Sequence, residues 1–151
     1  MIDSKLETEK DTAGVDVEIY YCPKIGNTPC APFFLSNLVS MMEQGHVINH
    51  MVGNNRCRAI YAKALSKIVG QITFDTLDDY SKTTWIHSAA VLKDYRQRGI
   101  YKMMHRQLEY LMPQLGSRKV AAHVHITNGV GMAGVQRVGL EPAYIRVEKT
   151  I

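Results

Sequence analysis

The chain lacks any apolar run approaching the roughly 20 residues that a membrane span requires. Its opening, MIDSKLETEKDTAG, is too polar for a secretory leader. A soluble, cytoplasmic protein with no membrane partner is therefore expected. Cysteine is scarce: Cys22, Cys30 and Cys57 are odd in number and scattered, with no C-x-x-C pair and no other metal-ligand spacing. That pattern excludes a disulfide framework, suits a reducing compartment and predicts no metal site. Aromatic residues make up 8% of the chain and include a single tryptophan. They are not interleaved with the basic residues, and no nucleic-acid-binding motif occurs, so no nucleic-acid partner is expected. Internal repeats and low-complexity segments are also absent.

What remains is a chain of 151 residues, a comfortable length for one domain with one buried core. Residues 1 to 14 show no periodicity and end at Gly14, so they read as a flexible tail ahead of a single domain at 15–151. The formal charge is +4, from 18 Lys and Arg against 14 Asp and Glu. The acids crowd residues 3 to 18 and 75 to 79. Between Lys93 and Arg106 stand Lys93, Arg96, Arg98, Lys102 and Arg106 against Asp94 alone, a block suited to an anionic ligand.

Periodicity predicts a short strand at Val17–Cys22, then a helix from Thr28-Pro29 to Gly45 with Phe34, Leu35, Leu38, Met41 and Met42 on its apolar stripe. A further helical turn is expected at His46–Met51. Strands follow at Cys57–Leu65, Ile68–Phe74 and Thr83–Leu92, the first two joined at Ser66-Lys67, with Asp78 and Asp79 in a solvated loop. Beyond Gly99 a strongly amphipathic helix carries Ile100, Met103, Met104, Leu108, Leu111 and Met112. A strand at Lys119–Ile126, a glycine-containing helix at Gly129–Val138 and a strand at Ala143–Glu148 complete an α/β or α+β order. The Met pairs and Cys57 read as core.

The chemistry is expected where the strand ending Ala89-Ala90-Val91 feeds a basic turn and the amphipathic helix. Backbone N–H groups of such a turn, with the positive end of the helix behind them, form the simplest device for holding a pyrophosphate, and Gly99 permits close backbone approach. A histidine suits proton transfer near neutral pH. On regular strands Trp85, His87, Ala89 and Val91 share one face and His123 and His125 another, so neighbouring strands would bring His87 and His123 to one cleft. A strand histidine equally satisfies a backbone carbonyl, and both readings stay open. No Cys or carboxylate joins these histidines at ligand spacing, which again predicts no metal.

The run Val91-Leu92-Lys93-Asp94-Tyr95-Arg96-Gln97-Arg98-Gly99-Ile100 resembles the acetyl-CoA motif of the GCN5-related N-acetyltransferases (GNAT), R/Q-x-x-G-x-G/A after an apolar strand. Asn128 with Gly139-Leu140 resembles the family's Asn-helix-Gly-Phe segment, and Ile68-Val69-Gly70-Gln71 the start of its earlier strand. The matches span roughly residues 56 to 148. The resemblance implies a mixed, mostly antiparallel central sheet flanked by helices and splayed between the strands ending near Val91 and Asn128. It implies acetyl-CoA as co-substrate, its pantetheine arm pairing with Val91 backbone. Its pyrophosphate would lie on the N–H groups of Arg98, Gly99, Tyr101 and Lys102, with Arg96 and Arg98 side chains adding charge. Direct acetyl transfer to an amine, small-molecule or peptide, follows. His87 falls where serotonin N-acetyltransferases carry a histidine base, and His123 where ribosomal-protein alanine acetyltransferases carry a glutamate base. Two departures matter: Tyr101 stands where the family prefers a small residue, and Val135 where many members carry a tyrosine acid. That acid is then replaced by a residue elsewhere, such as Tyr144 or Tyr101, or is dispensable because a coenzyme A thiolate is a good leaving group. Those departures, with Gly129, Gly131 and Gly134, also leave open a catalytically silent binding or structural protein of the same fold. The acceptor and the oligomeric state are not specified by the sequence.

Overall fold

The computed structural model describes residues 3–26, 29–46, 57–78, 80–143 and 147–150. Six strands form one sheet in chain order: β1 (Ser4–Lys10), β2 (Asp16–Cys22), β3 (Arg58–Ala64), β4 (Lys67–Asp78), β5 (Thr83–Val91) and β6 (Lys119–Ala122). Every neighbouring pair is antiparallel except β5–β6, which is parallel. A parallel pair needs a crossover, and α2 (Ile100–Leu111) supplies it. The remaining helices are α1 (Cys30–Glu43) and α3 (Gly129–Arg137).

Directly paired residues share a face, so the register sorts the core. Val17, Ile19, Ala62, Ala64, Ile72, Phe74 and Ile86 point to one side, where Ile100, Met103, Met104, Leu108 and Leu111 of α2 cover them. The opposite face carries Cys22, Ala59 and Tyr61, against which α1 sets Cys30 and Phe34. The expected stripe on α1 is only partly core: Leu35 and Met42 are 57% and 62% exposed, because the helix meets the sheet mainly through its first turn and a half.

The expected tail at residues 1–14 is corrected. Its middle forms β1, an edge strand with little hydrophobic signal, held by its backbone ladder to β2 and flanked by ion pairs. Lys5 binds Glu18 and Lys10 binds Asp16, both at 2.8 Å, while Arg106 reaches Glu7 and Glu9. Leu6 adds an apolar contact with the α2-side core. The strand expected to end at Phe74 runs on to Asp78, which pairs with Thr83 rather than lying in a loop; Asp79 is outside the described residues. The strand expected over Lys119–Ile126 stops at Ala122. The expected turn at His46–Met51 lies outside the described residues beyond His46, and so does the centre of the expected strand Ala143–Glu148, including Tyr144; the described flanks of that strand are not strand.

Burial separates the two helices in a measurable way. Leu108→Ala removes a fully buried side chain and should cost about 2–5 kcal/mol. Leu35→Ala should change stability by no more than about 0.5 kcal/mol. Urea unfolding of the two variants checks this, and equal losses would contradict the assigned faces.

Candidate functional site

The sheet is closed at one end and open at the other. Thr83 to Ile86 of β5 pair with Lys119 to Ala122 of β6, and there the ladder stops. The closed end is pinned by the buried Thr84 Oγ1–H to Ser117 Oγ bond of 2.7 Å and by Arg118 and Lys119 N–H groups, which donate to Lys82 O. Beyond it, β5 continues from His87 to Val91 without β6 beside it. Leu92 N–H donates back to Val69 O on β4, so by alternation the N–H and C=O of Val91 face the open edge. That carbonyl accepts a 2.8 Å bond from Arg96 Nε–H.

The turn after β5 passes through Gln97 at φ 59° and Gly99 at φ 83° before α2 begins. A Cβ on Gly99 would meet nothing within 4 Å, so the left-handed conformation, not crowding, is what calls for glycine. Met103 is the first residue to donate to a carbonyl of the turn, Gly99 O, at 3.0 Å. Among the described residues the N–H groups of Gly99, Ile100, Tyr101 and Lys102 meet no acceptor, as expected of a first helical turn. Four donors and the positive end of α2 thus converge on one spot.

The side chains around this turn divide. Arg98 turns away: its Nη1 lies 3.4 Å from Asp11 Oδ2, its guanidinium sits 5.0 Å from the Tyr95 ring centre, and its carbonyl accepts from Thr12 N–H. Burial pushes the Asp11 carboxyl up, but N–H bonds from Val15 and Ala13, with Arg98, outweigh this and hold it below its usual range. Arg106 is likewise engaged by β1. The basic block is therefore narrower than its sequence suggests. Among the described residues, Lys93, Arg96 and Lys102 carry no ion pair.

Tyr101 resolves one question raised by its size. Its ring leans toward α3, where a Cβ on Gly134 would approach it to 3.8 Å, and tilts against His105 at 5.9 Å. The turn's amides are left clear. Its hydroxyl is buried without a hydrogen-bond partner, and burial pushes its pKa up to about 12. Asn128 caps α3, its Oδ1 accepting Gly131 N–H at 2.9 Å; a Cβ on Gly131 would strike that side chain at 2.5 Å.

His87 occupies a β-bulge. Ile86 pairs with Phe74 and Ser88 with Thr73, leaving His87 as the extra residue of β5. The bulge breaks the alternation assumed from sequence: Ala89 and Val91 face α2, while Trp85, the partner of Asp75, faces the other side. The His87 ring goes with Trp85 and Asp75. Its Nε2 lies 2.5 Å from Asp75 Oδ2, with side-chain exposures of 12% and 11%. With Nε2–H donating to the carboxylate, Nδ1 keeps its lone pair. His123, just past β6, stacks on Trp85 with ring centres 4.8 Å apart and planes 7° from parallel. His123 thus stands on Trp85, on the sheet face that His87 shares, whereas His125 bonds to Thr127 and stacks on His46 at 5.8 Å. Asp75 was not singled out from sequence as a partner of His87. Alternation from Trp85, the partner of Asp75, already puts His87 on that carboxylate's face, but the β4–β5 register that pairs Trp85 with Asp75 has no local sequence signature.

A family model described as the acetyltransferase (GNAT) family matches residues 25–137. No curated protein sequence matches the chain. Solved structures do. An aminoglycoside acetyltransferase from an uncultured soil metagenomic sample, solved with sisomicin, is 16% identical with a TM-score of 0.68 over 89% of this chain and 96% of that one. The ribosomal-protein-alanine N-acetyltransferase of Brucella melitensis biovar Abortus 2308 is 15% identical, TM-score 0.67, over 89% and 99%. An aminoglycoside N-acetyltransferase solved with CoA is 16% identical, TM-score 0.62, over 88% and 99%. At such identities the likeness establishes the fold.

The Asp11–Arg98 contact yields a pH prediction. A carboxyl held below its ordinary 3.8 adds stability that is complete above that value and is lost as pH falls through the folded one. Asp11→Asn should therefore be less stable than wild type at pH 7, with the gap narrowing as pH drops below about 4. Urea unfolding across this range checks it; a gap widening toward acid would contradict it.

Proposed function

The chain belongs to the acetyltransferase (GNAT) family, and we propose that it moves an acetyl group from acetyl-CoA directly to an amine, with His87 as base. The observation that carries this is the His87–Asp75 pair at the β5 bulge, beside an unpaired strand edge. The residues present fit the co-substrate. The N–H groups of Gly99, Tyr101 and Lys102 suit its pyrophosphate, together with that of Arg98, while Lys102 and Arg96 add positive charge. The Val91 N–H on the open edge suits its pantetheine arm. Arg98 contributes mainly by bracing the turn against Asp11, and Asn128 by fixing α3 on the far wall. When bound, acetyl-CoA supplies an acetyl thioester ready for attack.

In this reading His87 Nδ1 takes the proton that the amine loses as its nitrogen bonds to the acetyl carbon. Asp75 holds the ring in the tautomer that leaves Nδ1 free and balances the charge it gains. Asp75 is a positioning residue. His123 is the second candidate for the base, stacked on Trp85 in the same cleft. Val135 has no ionisable group, so the departing sulfur takes its proton from another residue, of which Tyr101 is one candidate, or leaves as a thiolate without an acid. The acceptor is an amine, small or peptidic, and three buried cysteines outside any disulfide suit a cytoplasmic setting.

A silent binding protein is the second reading, favoured by the engagement of Arg96 and Arg98 within the chain. Thermal shift decides first. Acetyl-CoA at about 100 times its dissociation constant should stabilise the protein by roughly 2.7 kcal/mol, and no shift at millimolar concentration would overturn the enzymatic reading. With cofactor bound, His87→Ala should lower kcat about 100-fold or more against a panel of amines while leaving the shift intact. Asp75→Asn should lower kcat with little change in KM. Wild-type rates in His87→Ala would remove that histidine from the mechanism, and His123→Ala tests the alternative in the same assay.

A further inference from the structure

Away from the acetyl-transfer cleft, three side chains from separate parts of the sequence meet beneath α1. Asp3 lies just before β1, Cys22 ends β2 and Cys30 opens α1. The carboxylate oxygen and the two Sγ atoms all lie within 4.8 Å of one another. Both cysteines are fully buried, whereas Asp3 is partly exposed and offers an approach from solvent. Tyr61 O–H donates to Asp3 Oδ2 at 2.8 Å, fixing the carboxylate. The Cys22 thiol donates to Lys24 O at 3.3 Å.

We propose that Asp3, Cys22 and Cys30 form a binding site for a thiophilic divalent cation, for which Zn2+ has the matching chemistry. Two sulfurs and one carboxylate oxygen are a donor set that zinc accepts and that Mg2+ or Ca2+, which want oxygen throughout, does not. Tetrahedral zinc, with sulfur at about 2.3 Å and oxygen at about 2.0–2.2 Å, places its ligand atoms roughly 3.5 Å apart. The three atoms, within 4.8 Å of one another, would draw in to that spacing around the ion. Three protein ligands leave the fourth position to water. Binding displaces one proton from each thiol, so M2+ is met by two thiolates and one carboxylate and two protons leave. The Cys22 bond to Lys24 O is given up in the process.

Tyr61 is the outer partner of this site: its hydroxyl orients the carboxylate and spreads the surplus negative charge. The two thiols lie in the apolar surroundings of Ile25, Phe34 and Ala59, where a cysteine packs as a small hydrophobe. The bound ion would tie the start of β1 and the end of β2 to the first turn of α1, and metal binding would add to fold stability by linkage.

The test uses the full chain, reduced, stripped with chelator, and titrated with Co2+ and then Zn2+. One metal per chain is expected, with sulfur-to-cobalt charge-transfer absorption that Zn2+ abolishes and a melting temperature raised by Zn2+. Cys22→Ser and Cys30→Ser should remove the charge-transfer band or cut it by half. Tyr61→Phe should weaken Zn2+ binding about 10-fold. Cys57→Ser, in the same buried cluster but outside the trio, should keep the full band and so separates loss of a ligand from loss of packing. Asp3→Asn, at a partly exposed position, should weaken Zn2+ about 10-fold or more and serves if a cysteine variant does not fold. Absence of thiolate absorption in reduced wild type at excess Co2+, or a band undiminished in both cysteine variants, overturns the proposal.

Discussion

Most of what this molecule offers to a ligand traces to one constraint: β5 and β6 are parallel neighbours for only four residue pairs. Their closed end is locked by the Thr84–Ser117 bond and the donors to Lys82 O. Past Ile86 and Ala122 the ladder ends, and β5 runs on with no strand beside that edge among the described residues. Bare backbone N–H and C=O groups want partners, and in a sheet interior they would have had a strand. The bulge at His87 begins where that partner is lost, so the extra residue strains no second ladder. Splay, bulge and the exposed Val91 amide are one feature seen at three positions.

The basic turn illustrates how tertiary context redistributes charge. Five cations between Lys93 and Arg106 look like a single anion-attracting block. The hairpin of β1 and β2 takes two of them, Arg98 through Asp11 and Arg106 through Glu7 and Glu9. What is left for a ligand is mostly oriented backbone: free amides at the start of α2 and the helix field behind them, with Lys93, Arg96 and Lys102 nearby. Such a site depends on shape more than on net charge, and on Gly99 keeping its φ of 83°. The same hairpin that draws off charge braces the turn, since Thr12 N–H holds Arg98 O.

Legibility followed the range of the interaction. The β5, turn and α2 unit was readable because its signals are local: an apolar strand, a left-handed glycine and a helix stripe whose Ile100, Met103, Met104, Leu108 and Leu111 are all buried. β1 was not, since Ser4 to Lys10 holds one apolar residue and is a strand through its backbone ladder to β2. α1 was readable as a helix, but its stripe overstated its burial. The cysteines show the same limit. Spacing along the chain gave no hint that Cys22, Cys30 and Asp3 would stand together, because the β1–β2 hairpin and the entry to α1 bring them there.

By itself, then, the sequence determined the fold class, the order of its main elements and the position of the turn where a pyrophosphate could lie, since periodicity, capping and glycine conformation are encoded over a few neighbouring residues. Only the tertiary structure decided which cations that turn keeps, which way Tyr101 leans and which carboxylate His87 meets. Those outcomes are set by sheet register, and a single extra residue in one strand shifts every side-chain direction after it. The register that sets Trp85 opposite Asp75 brings His87, two residues on, to that carboxylate, and the extra residue then turns Ala89 and Val91 to the α2 side.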